Sequence, residues 1–347
     1  VFSRTVSFIL RATNLPKQLL FLAEDQRTCN MQPRSSLFAP PPAMTAIVIV
    51  VACCLVACAS SAVAGGFFED FEVVWGDDPH PERRVGVVDG GRPVVTLTLN
   101  NVSGSGFQSK DAFLFGEFTM AMKLVPGDSA GTVTTFYLTS KDPTADGDGH
   151  DEIDIEFLGN VSGEPYLMQT NVFAQGVGNR EQRSYLWFDP TADFHNYTIL
   201  WNPLNIIFSV DGTPVRVFSN HEVQGLPYLS RQAMKVHATI WDGDSWATRG
   251  GWDRTDWSHA PFVASYGTYG TASACRVSSS PASDDDGGAF CCPRDAASGE
   301  GAWMTRRLGP DGERALASAR EKYMVMDYCD DPWNVGRPAE CDIDRLI

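Results

Sequence analysis

Short runs of strand-forming residues fill the middle of the chain. Between residues 67 and 264, runs rich in Val, Thr, Phe, Tyr and Ile alternate with Gly, Asn, Asp and Pro. No long run there repeats apolar residues with a helical period. Many short strands between turn residues predict an all-β sandwich of two antiparallel sheets, or jelly roll. The predicted strands cover residues 94–99, 113–124, 132–138, 169–173, 197–201, 206–210 and 234–240.

Residues 152–157 alternate three carboxylates with three large apolar side chains. Because side chains alternate between the two faces of a strand, Glu152, Asp154 and Glu156 share one face, and the apolar residues anchor the other in a core. Same-face positions are about 6.6 Å apart along a strand, so Glu152 and Glu156 can reach one glycosidic bond from both sides. Retaining glycosidases place two carboxyls about 5–5.5 Å apart. The alternative is an amphipathic strand whose acids only face water.

A C-terminal extension with a helix is predicted after the jelly-roll domain. Residues 65–272 form the jelly-roll domain, and residues 273–301 form a linker rich in Ser, Gly and Asp,. Residues 313–323 have a helix-compatible composition. We therefore expect residues 302–347 to form a C-terminal extension packed on the sandwich.

The N-terminal region is typical of a targeting segment. A short apolar run at residues 47–58 precedes Ala62-Val63-Ala64, a small-x-small cleavage pattern,. The run is too short for a comfortable membrane span, although a transmembrane segment is the alternative. We expect residues 1–64 to be a leader and secretory signal peptide that is absent from the mature protein. Translation starts at Met31 or Met44, and the sequence does not decide between them.

The negative charge of the chain limits the classes of molecule that it can bind. It has 27 basic against 43 acidic residues and a formal net charge of −16. So acidic a protein has no electrostatic footprint for nucleic acid and is repelled by anionic membranes. A neutral polymer is the easier partner, and we expect a monomer. The sequence holds no nucleotide-binding fingerprint and no metal-ligand cluster, so no cofactor and no metal are predicted.

The late cysteines predict disulfides. Of nine cysteines, five follow the signal segment, and clustered cysteines in a secreted chain are typical of disulfide bonds. We expect Cys329 to pair with Cys341 and Cys275 to pair with either Cys291 or Cys292, which leaves one thiol. A zinc site is the alternative, but no CxxC or nearby histidine supports it.

Three triplets fit the N-glycosylation pattern, at Asn101, Asn160 and Asn196,. Asn160 is the best candidate, because Gly159-Asn160 is a turn signal directly after the acidic strand and should be exposed.

The string at residues 150–160, HDEIDIEFLGN, resembles the signature of plant xyloglucan endotransglucosylase/hydrolases, which share a jelly-roll clan with bacterial mixed-linkage β-glucanases. Further blocks are similar to the same family, and the resemblance runs from about residue 67 to 341. These blocks are residues 103–110, 123–133, 169–173, 178–182, 201–203, 210–216, 246–251, 323–329 and 338–341.

The resemblance implies a role for each carboxylate. Glu152 is the nucleophile, Glu156 is the general acid/base, and Asp154 orients the nucleophile and tunes its charge. Physical chemistry is consistent with this assignment, because three carboxylates so close cannot all ionise freely. Attack by Glu152 gives a covalent glycosyl-enzyme, which water hydrolyses or a sugar hydroxyl religates.

The resemblance also implies a concave glucan-binding face. Trp246 is the best candidate for an aromatic platform under a sugar ring, ahead of Trp241, Trp252 and Trp257, and the alternative is that these tryptophans are core residues. The full set of implied saccharide contacts is Gln169, Thr170, Asn171, Asn179, Arg180, Glu181, Trp246, Ala247, Arg249, Gly250 and Gly251.

The predicted function is a secreted retaining enzyme that cuts and rejoins xyloglucan in the plant cell wall, with xyloglucan chains as donor and acceptor. A hydrolytic endo-β-glucanase acting on xyloglucan or mixed-linkage glucan is the alternative in chemistry. A non-catalytic carbohydrate-binding jelly roll is the alternative in class.

Overall fold

Antiparallel strands dominate the structure, which confirms the predicted all-β fold. Every strand pairing in the described part of the chain is antiparallel. The predicted leader and signal peptide lie outside that part. The computed structural model describes residues 67–76, 85–87, 93–141, 149–277, 290–291, 301–332 and 337–343.

The strands have the following bounds. They are β1 (Phe71–Trp75), β2 (Val85–Val87), β3 (Pro93–Leu99), β4 (Ser105–Lys123), β5 (Thr132–Thr139), β6 (Glu152–Leu158), β7 (Leu167–Phe173), β8 (Gln182–Tyr185), β9 (His195–Trp201), β10 (Asn205–Val210), β11 (Thr213–Ser219), β12 (Met234–Asp242), β13 (Phe262–Val277), β14 (Phe290–Cys291) and β15 (Met324–Asp327). Two α-helices lie in the C-terminal part of the described chain, α1 (Pro310–Tyr323) and α2 (Glu340–Ile343).

The long strand β4 belongs to two layers. Its first half pairs with β1 and β12, and its second half pairs with β9 and β13. Between the halves, Phe115 has a φ of 71°, a conformation that a bulky residue adopts only where packing imposes it. The first layer has the order β1-β4-β12-β5-β6-β7-β8-β15, and the second has β2-β3-β13-β4-β9-β10-β11, with β14 on β13.

The core lies between these layers. Ile153, Ile155 and Phe157 of β6 are at most 1% exposed. The ring of Phe157 packs against Tyr197 of β9 in the opposite layer, with 4.6 Å between centroids. The phenol of Tyr266 donates a hydrogen bond across the core to the Thr135 carbonyl at 3.1 Å. The apolar half of the alternating pattern therefore anchors β6 as predicted.

The local signals located most elements but not their full length. The Asp211-Gly212 turn joins β10 to β11 with positive φ at both residues, as a tight hairpin requires,. Strand β4 begins eight residues before the predicted segment at 113–124, and β13 continues to Val277, into residues assigned to the linker. The added residues of β4 pair with β1 and β12, and the added residues of β13 pair with β4. These are non-local contacts that a short sequence window does not contain.

The C-terminal extension adds a strand to the first layer. β15 pairs with β8, so the extension continues the sheet as well as packing on it. Arg180 and Glu340 form a buried ion pair at 2.5 Å that joins the sheet to α2. Asp327 at the end of β15 accepts hydrogen bonds from Gln182 at 3.0 Å and Arg320 at 2.6 Å. The predicted Cys329–Cys341 disulfide is present.

Candidate active site

The three carboxylates of β6 point away from the core on one face of the first layer, called here the cleft face. Strand registers place Thr135 and Tyr137 of β5 beside Glu156 and Asp154. On the other side, Gln169 lies opposite Glu156. The alternation that buries the isoleucines on one face necessarily presents the acids on the other.

A cavity of about 590 Å³ lies over these carboxylates. Strands β5, β6, β7, β8, β12 and β15 all contribute to its walls, so a ligand here contacts both the sheet and the C-terminal extension. The lining residues are Thr135, Tyr137, Lys141, Glu152, Asp154, Glu156, Gln169, Asn171, Phe173, Glu181, Arg183, Thr239, Trp241, Trp246 and Met326.

Glu156 is held by a chain of hydrogen bonds along the cleft face. The amide of Gln169 donates to Glu156 Oε2 at 2.5 Å. Arg183 Nε in turn donates to Gln169 Oε1 at 2.6 Å, which fixes the orientation of the amide,. Burial raises the pKa of Glu156, the Gln169 hydrogen bond opposes that rise, and the charges of Glu152 and Glu181 add to it. Glu156 is therefore suited to keep a proton and donate it to a leaving oxygen.

Asp154 lies between the two glutamates and is buried. Burial raises its pKa well above the ordinary value, and the charges of Glu152 and Glu156 and a side-chain hydrogen bond to Glu152 raise it further. A protonated Asp154 donates to the carboxylate of Glu152 and holds it in place. Asp154 and Glu156 thus both retain protons more strongly than free carboxyls do,.

His150 and Phe173 border Glu152. The imidazole stacks on the Phe173 ring with 5.4 Å between centroids. Its Nε2 lies 3.9 Å from Glu152 Oε2. Phe173 is directly opposite Glu152 in the register between β6 and β7, so an aromatic wall stands beside this carboxylate.

Thr170 lies outside the cavity, on the core side of β7. It is opposite Ile155 in the register. Arg216 Nη1 donates to its carbonyl at 2.8 Å and to its hydroxyl at 2.9 Å. The strand period places Gln169 and Asn171 on the cleft face and Thr170 between them on the other face. Thr170 thus supports β7 from below through the buried Arg216.

Arg180 also points away from the cavity. It is 4% exposed, pairs with Glu340 and donates to the carbonyls of Val172 and Val177. Asn179 is exposed, with a φ of 59°. Glu181 and Asn171 do line the cavity, where the Asn171 amide donates to Glu181 at 3.1 Å.

The loop after β12 brings only part of its predicted residues to the cavity. Trp246 lines it together with Trp241, with 5.9 Å between the two ring centroids. Ala247 packs beneath them against Val133 and Leu158.

The remaining residues of that loop serve its own structure. Arg249 pairs with Asp253 and is largely exposed. Gly250 and Gly251 have positive φ, and a Cβ on Gly251 would lie 2.2 Å from the Ser245 carbonyl. Trp252 is 84% exposed, and Trp257 packs against Phe262. None of these five residues lines the cavity.

The sequence reasoning missed Arg183, Tyr137 and Met326. Burial first, and then the three neighbouring carboxylates, raise the pKa of Tyr137, so its phenol stays neutral and able to donate. Strand alternation on β8 places Arg183 on the face opposite to Gln182, and this signal is present in the sequence. Its contact with Gln169 depends on the pairing of β7 with β8, which the sequence does not show. Met326 reaches the cavity only because β15 joins the sheet.

The other predicted sites are partly described. Cys275 is disulfide-bonded, while the side chains of Cys291 and Cys292 lie outside the described residues. Asn160 is half-buried, and its amide donates to the Pro165 carbonyl at 3.0 Å.

Within the described ranges, no cluster of three or more His, Cys, Asp or Glu side chains is arranged to hold a metal ion. No helix in the same ranges has the length and apolarity that crossing a membrane requires.

Comparison with known families agrees with this geometry. The family model described as "Glycosyl hydrolases family 16" matches residues 68–259. The model described as "Xyloglucan endo-transglycosylase (XET) C-terminus" matches residues 298–341. The site therefore belongs to the glycoside hydrolase class.

Individual relatives narrow the assignment. A xyloglucan endotransglycosylase/hydrolase of Oryza sativa subsp. japonica is 53% identical over 80% of this chain and 90% of its own length. A xyloglucan endotransglucosylase of Diospyros kaki is 49% identical over 79% and 96%. Among solved structures, a Bacillus licheniformis β-glucanase aligns at 25% identity with a TM-score of 0.44, covering 58% of this chain and 90% of its own. The chain belongs to glycosyl hydrolase family 16 and, within it, to the xyloglucan endotransglucosylase/hydrolases.

Proposed function

We propose that the protein cleaves the β-1,4-glucan backbone of xyloglucan through a covalent glycosyl-enzyme and transfers the glycosyl group to another xyloglucan chain or to water. The observation that carries this proposal is the placement of Glu152, Asp154 and Glu156 on one face, over one cavity, where burial raises the pKa of Asp154 and Glu156. The names of the relatives supply the substrate.

In the first step, the ionised Glu152 attacks the anomeric carbon. The bond from that carbon to the glycosidic oxygen breaks, and Glu156 gives its proton to the departing oxygen. Asp154 holds the nucleophile through its hydrogen bond and carries a proton itself, which limits the negative charge beside the reacting carbon,.

In the second step, Glu156 is ionised and acts as a base. It removes a proton from the incoming hydroxyl group, whose oxygen bonds to the anomeric carbon and releases Glu152. Gln169, held by Arg183, donates to Glu156 in this ionised state. A sugar hydroxyl restores a polysaccharide, and water gives hydrolysis. Trp241 and Trp246 offer apolar faces on which an acceptor sugar excludes water,.

The cell wall is the proposed place of action, reached after removal of the segment at 1–64. We also propose Asn160 as a glycosylation site and a monomeric mature protein. The acidic composition and the late disulfides support an extracellular protein that acts on a neutral polymer,. The domain limits stay those proposed from the sequence, with the catalytic jelly roll followed by the extension.

The test is an incubation of the protein with xyloglucan and labelled xyloglucan oligosaccharides. Transfer moves label into polymer, and hydrolysis lowers viscosity with new reducing ends. Mixed-linkage glucan in a parallel incubation checks the hydrolytic alternative. Glu152→Gln should abolish both activities, while Glu164→Gln, an exposed glutamate outside the cavity, should change neither.

A chain that binds xyloglucan but does not cleave it, with Glu152→Gln indistinguishable from the parent, would instead be a carbohydrate-binding module. Trapping of a glycosyl group on Glu152, seen as a mass increase of that peptide, would directly support the retaining mechanism. Product with inverted anomeric configuration would refute it.

A further inference from the structure

The last residue of β1 is turned to the cleft face by a bulge. Glu72 pairs with Gln108 and Val73 with Phe107, but Trp75 pairs with Gly106, so Val74 is the extra residue. In a regular strand, Trp75 would share the core-facing side with Phe71 and Val73. An inserted residue reverses that alternation and re-aims the side chain. Trp75 therefore lies on the same face as Glu72.

The indole of Trp75 lies against the backbone of Gly104 and Gly106, which have no side chains to displace it. A Cβ built on Gly106 would lie 2.5 Å from Trp75 Nε1 and 2.9 Å from Thr239 Cγ2. A Cβ on Gly104 would lie 2.6 Å from Trp75 Cη2. Any side chain at either position would displace the ring. Because Thr239 lines the catalytic cavity, its contact with Gly106 places the indole on the cleft face. The indole remains 40% exposed.

Strand pairing puts Trp75 in one row with the proposed acid/base residue. The row runs through Trp75, Gly106, Thr239, Thr135, Glu156, Gln169 and Arg183. Neighbouring strands are about 4.8 Å apart, so the backbone beneath the indole lies about 14 Å from that of Glu156. This row crosses the strands and marks a direction for an extended ligand.

The floor between Trp75 and Glu156 carries only small side chains. Thr135 and Thr239 hydrogen-bond to each other at 2.6 Å, which keeps both hydroxyl groups low on the sheet. A second cavity of about 620 Å³ lies beside this row over β1, β4, β12 and β5. Lys141 lines both this cavity and the catalytic one. The open space over the cleft face thus continues to β1.

We propose that the indole of Trp75 is a stacking platform for a pyranose ring of the glucan chain, in a distal subsite at the β1 end of the cleft. The inference rests on the proposed function. The electron-rich face of an indole attracts the positively polarised C–H groups of a sugar, and a platform supported by glycines loses little freedom on binding. The bound chain then crosses the sheet from β1 towards Arg183 and Met326, at the end to which the extension adds β15.

The experiment measures binding in a Glu152→Gln background, so that turnover does not interfere. Xyloglucan fragments of increasing backbone length are titrated by calorimetry into the parent chain and into variants. Fragments long enough to reach β1 should bind more tightly than short ones. Trp75→Ala and Trp75→Leu should remove that gain, about three- to tenfold in Kd, as expected of one aromatic contact. Short fragments should bind all variants equally.

Trp252→Ala is the matched control, since it removes an exposed indole outside the row and should leave the length dependence unchanged. In Trp75→Leu the new side chain still covers the two glycines, so this variant tests the platform even if Trp75→Ala does not fold. Equal affinity of Trp75→Leu and the parent for long fragments would overturn the proposal. Equal loss for short and long fragments would also overturn it, because that result indicates a structural role.

The binding measurements and the activity measurements together distinguish failure of this inference from failure of the proposed activity. If the wild-type chain neither transfers nor hydrolyses xyloglucan, but Trp75 still governs binding of long fragments, the activity proposal fails and the platform stands. If the wild-type enzyme is active and Trp75→Leu keeps the same preference for long over short donors, the platform fails and the activity stands.

Discussion

The two faces of the sheet around β6 and β7 use charge in opposite ways. On the cleft face, four carboxyl groups line the cavity with Arg183 and Lys141 as the cations. On the core side, Arg180 pairs with Glu340. Like charges without matched partners raise one another's pKa and cost stability, whereas a closed buried pair costs stability only when it is broken. The cleft face is therefore arranged for chemistry, and the face below for holding the extension in place.

The largest expected effect on activity is that of replacing Glu156 on the cleft face, and the neighbouring Phe157 on the core face provides the comparison. Glu156→Gln should lower transfer by about 10²- to 10⁴-fold, because it removes the proton donor. Burial raises the pKa of Glu156, so the ionised group destabilises the fold at neutral pH. The variant should therefore unfold at an equal or higher temperature at pH 7, an advantage that disappears in acid, where the wild-type carboxyl is protonated both folded and unfolded.

Phe157→Ala, at the next residue on the opposite face, should lower stability and leave the activity largely intact. It opens a cavity in the core and should lower the free energy of unfolding by about 3–5 kcal/mol, measured by urea denaturation. Activity per folded molecule should remain. A Glu156→Gln variant that loses as much stability as Phe157→Ala would contradict the comparison of the two faces.

Arg180 and Arg183 give a second contrast, on neighbouring elements. Arg180→Met leaves Glu340 buried without its partner and should cost about 3–5 kcal/mol of stability, read from chemical denaturation. Arg183→Met should cost less than about 1 kcal/mol, because the side chain is partly exposed,, but it should lower kcat. Equal stability losses would argue against the separation, and Arg180→Met together with Glu340→Met should recover part of the loss.

Opening the Cys329–Cys341 disulfide tests how far the extension supports the cleft. The double replacement by Ser removes a cross-link over a sequence separation of 12 and should cost about 3 kcal/mol through the entropy of the unfolded chain. Because Met326 reaches the cavity on β15, the KM for polymer should rise more than the cleavage rate falls. Unchanged KM after loss of the bond would show that β15 stays on β8 without it.

The smallest effect is expected in the pH profile. The amide of Gln169 lowers the pKa of Glu156 against the rise that burial causes. In Gln169→Leu the pKa of Glu156 should increase, so Glu156 keeps its proton to higher pH. The alkaline limb of the kcat/KM profile should therefore shift to higher pH. Gln224→Leu, on the far 3-10 helix at Glu222–Gln224, should leave the limb in place. A downward shift would contradict the assignment of Glu156 as the acid.

The sequence by itself determined which carboxylates share a face. Alternation is a property of the strand backbone, so Glu152, Asp154 and Glu156 needed no tertiary information. The same local rules located most strands, helix α1 and the hairpin at Asp211-Gly212. The spacing of cysteines and the family signature extended the prediction to the extension and its Cys329–Cys341 bond.

The tertiary structure decided which other residues meet those carboxylates, because strand pairing joins positions far apart in the chain. It brought Arg183 to Gln169 and turned Arg180 towards α2, although both arginines lie close together in the sequence. It also reversed Trp75 through a bulge that no alternation pattern reveals, and carried Met326 to the cavity on β15. Period is set residue by residue, whereas register and bulges depend on the partner strand.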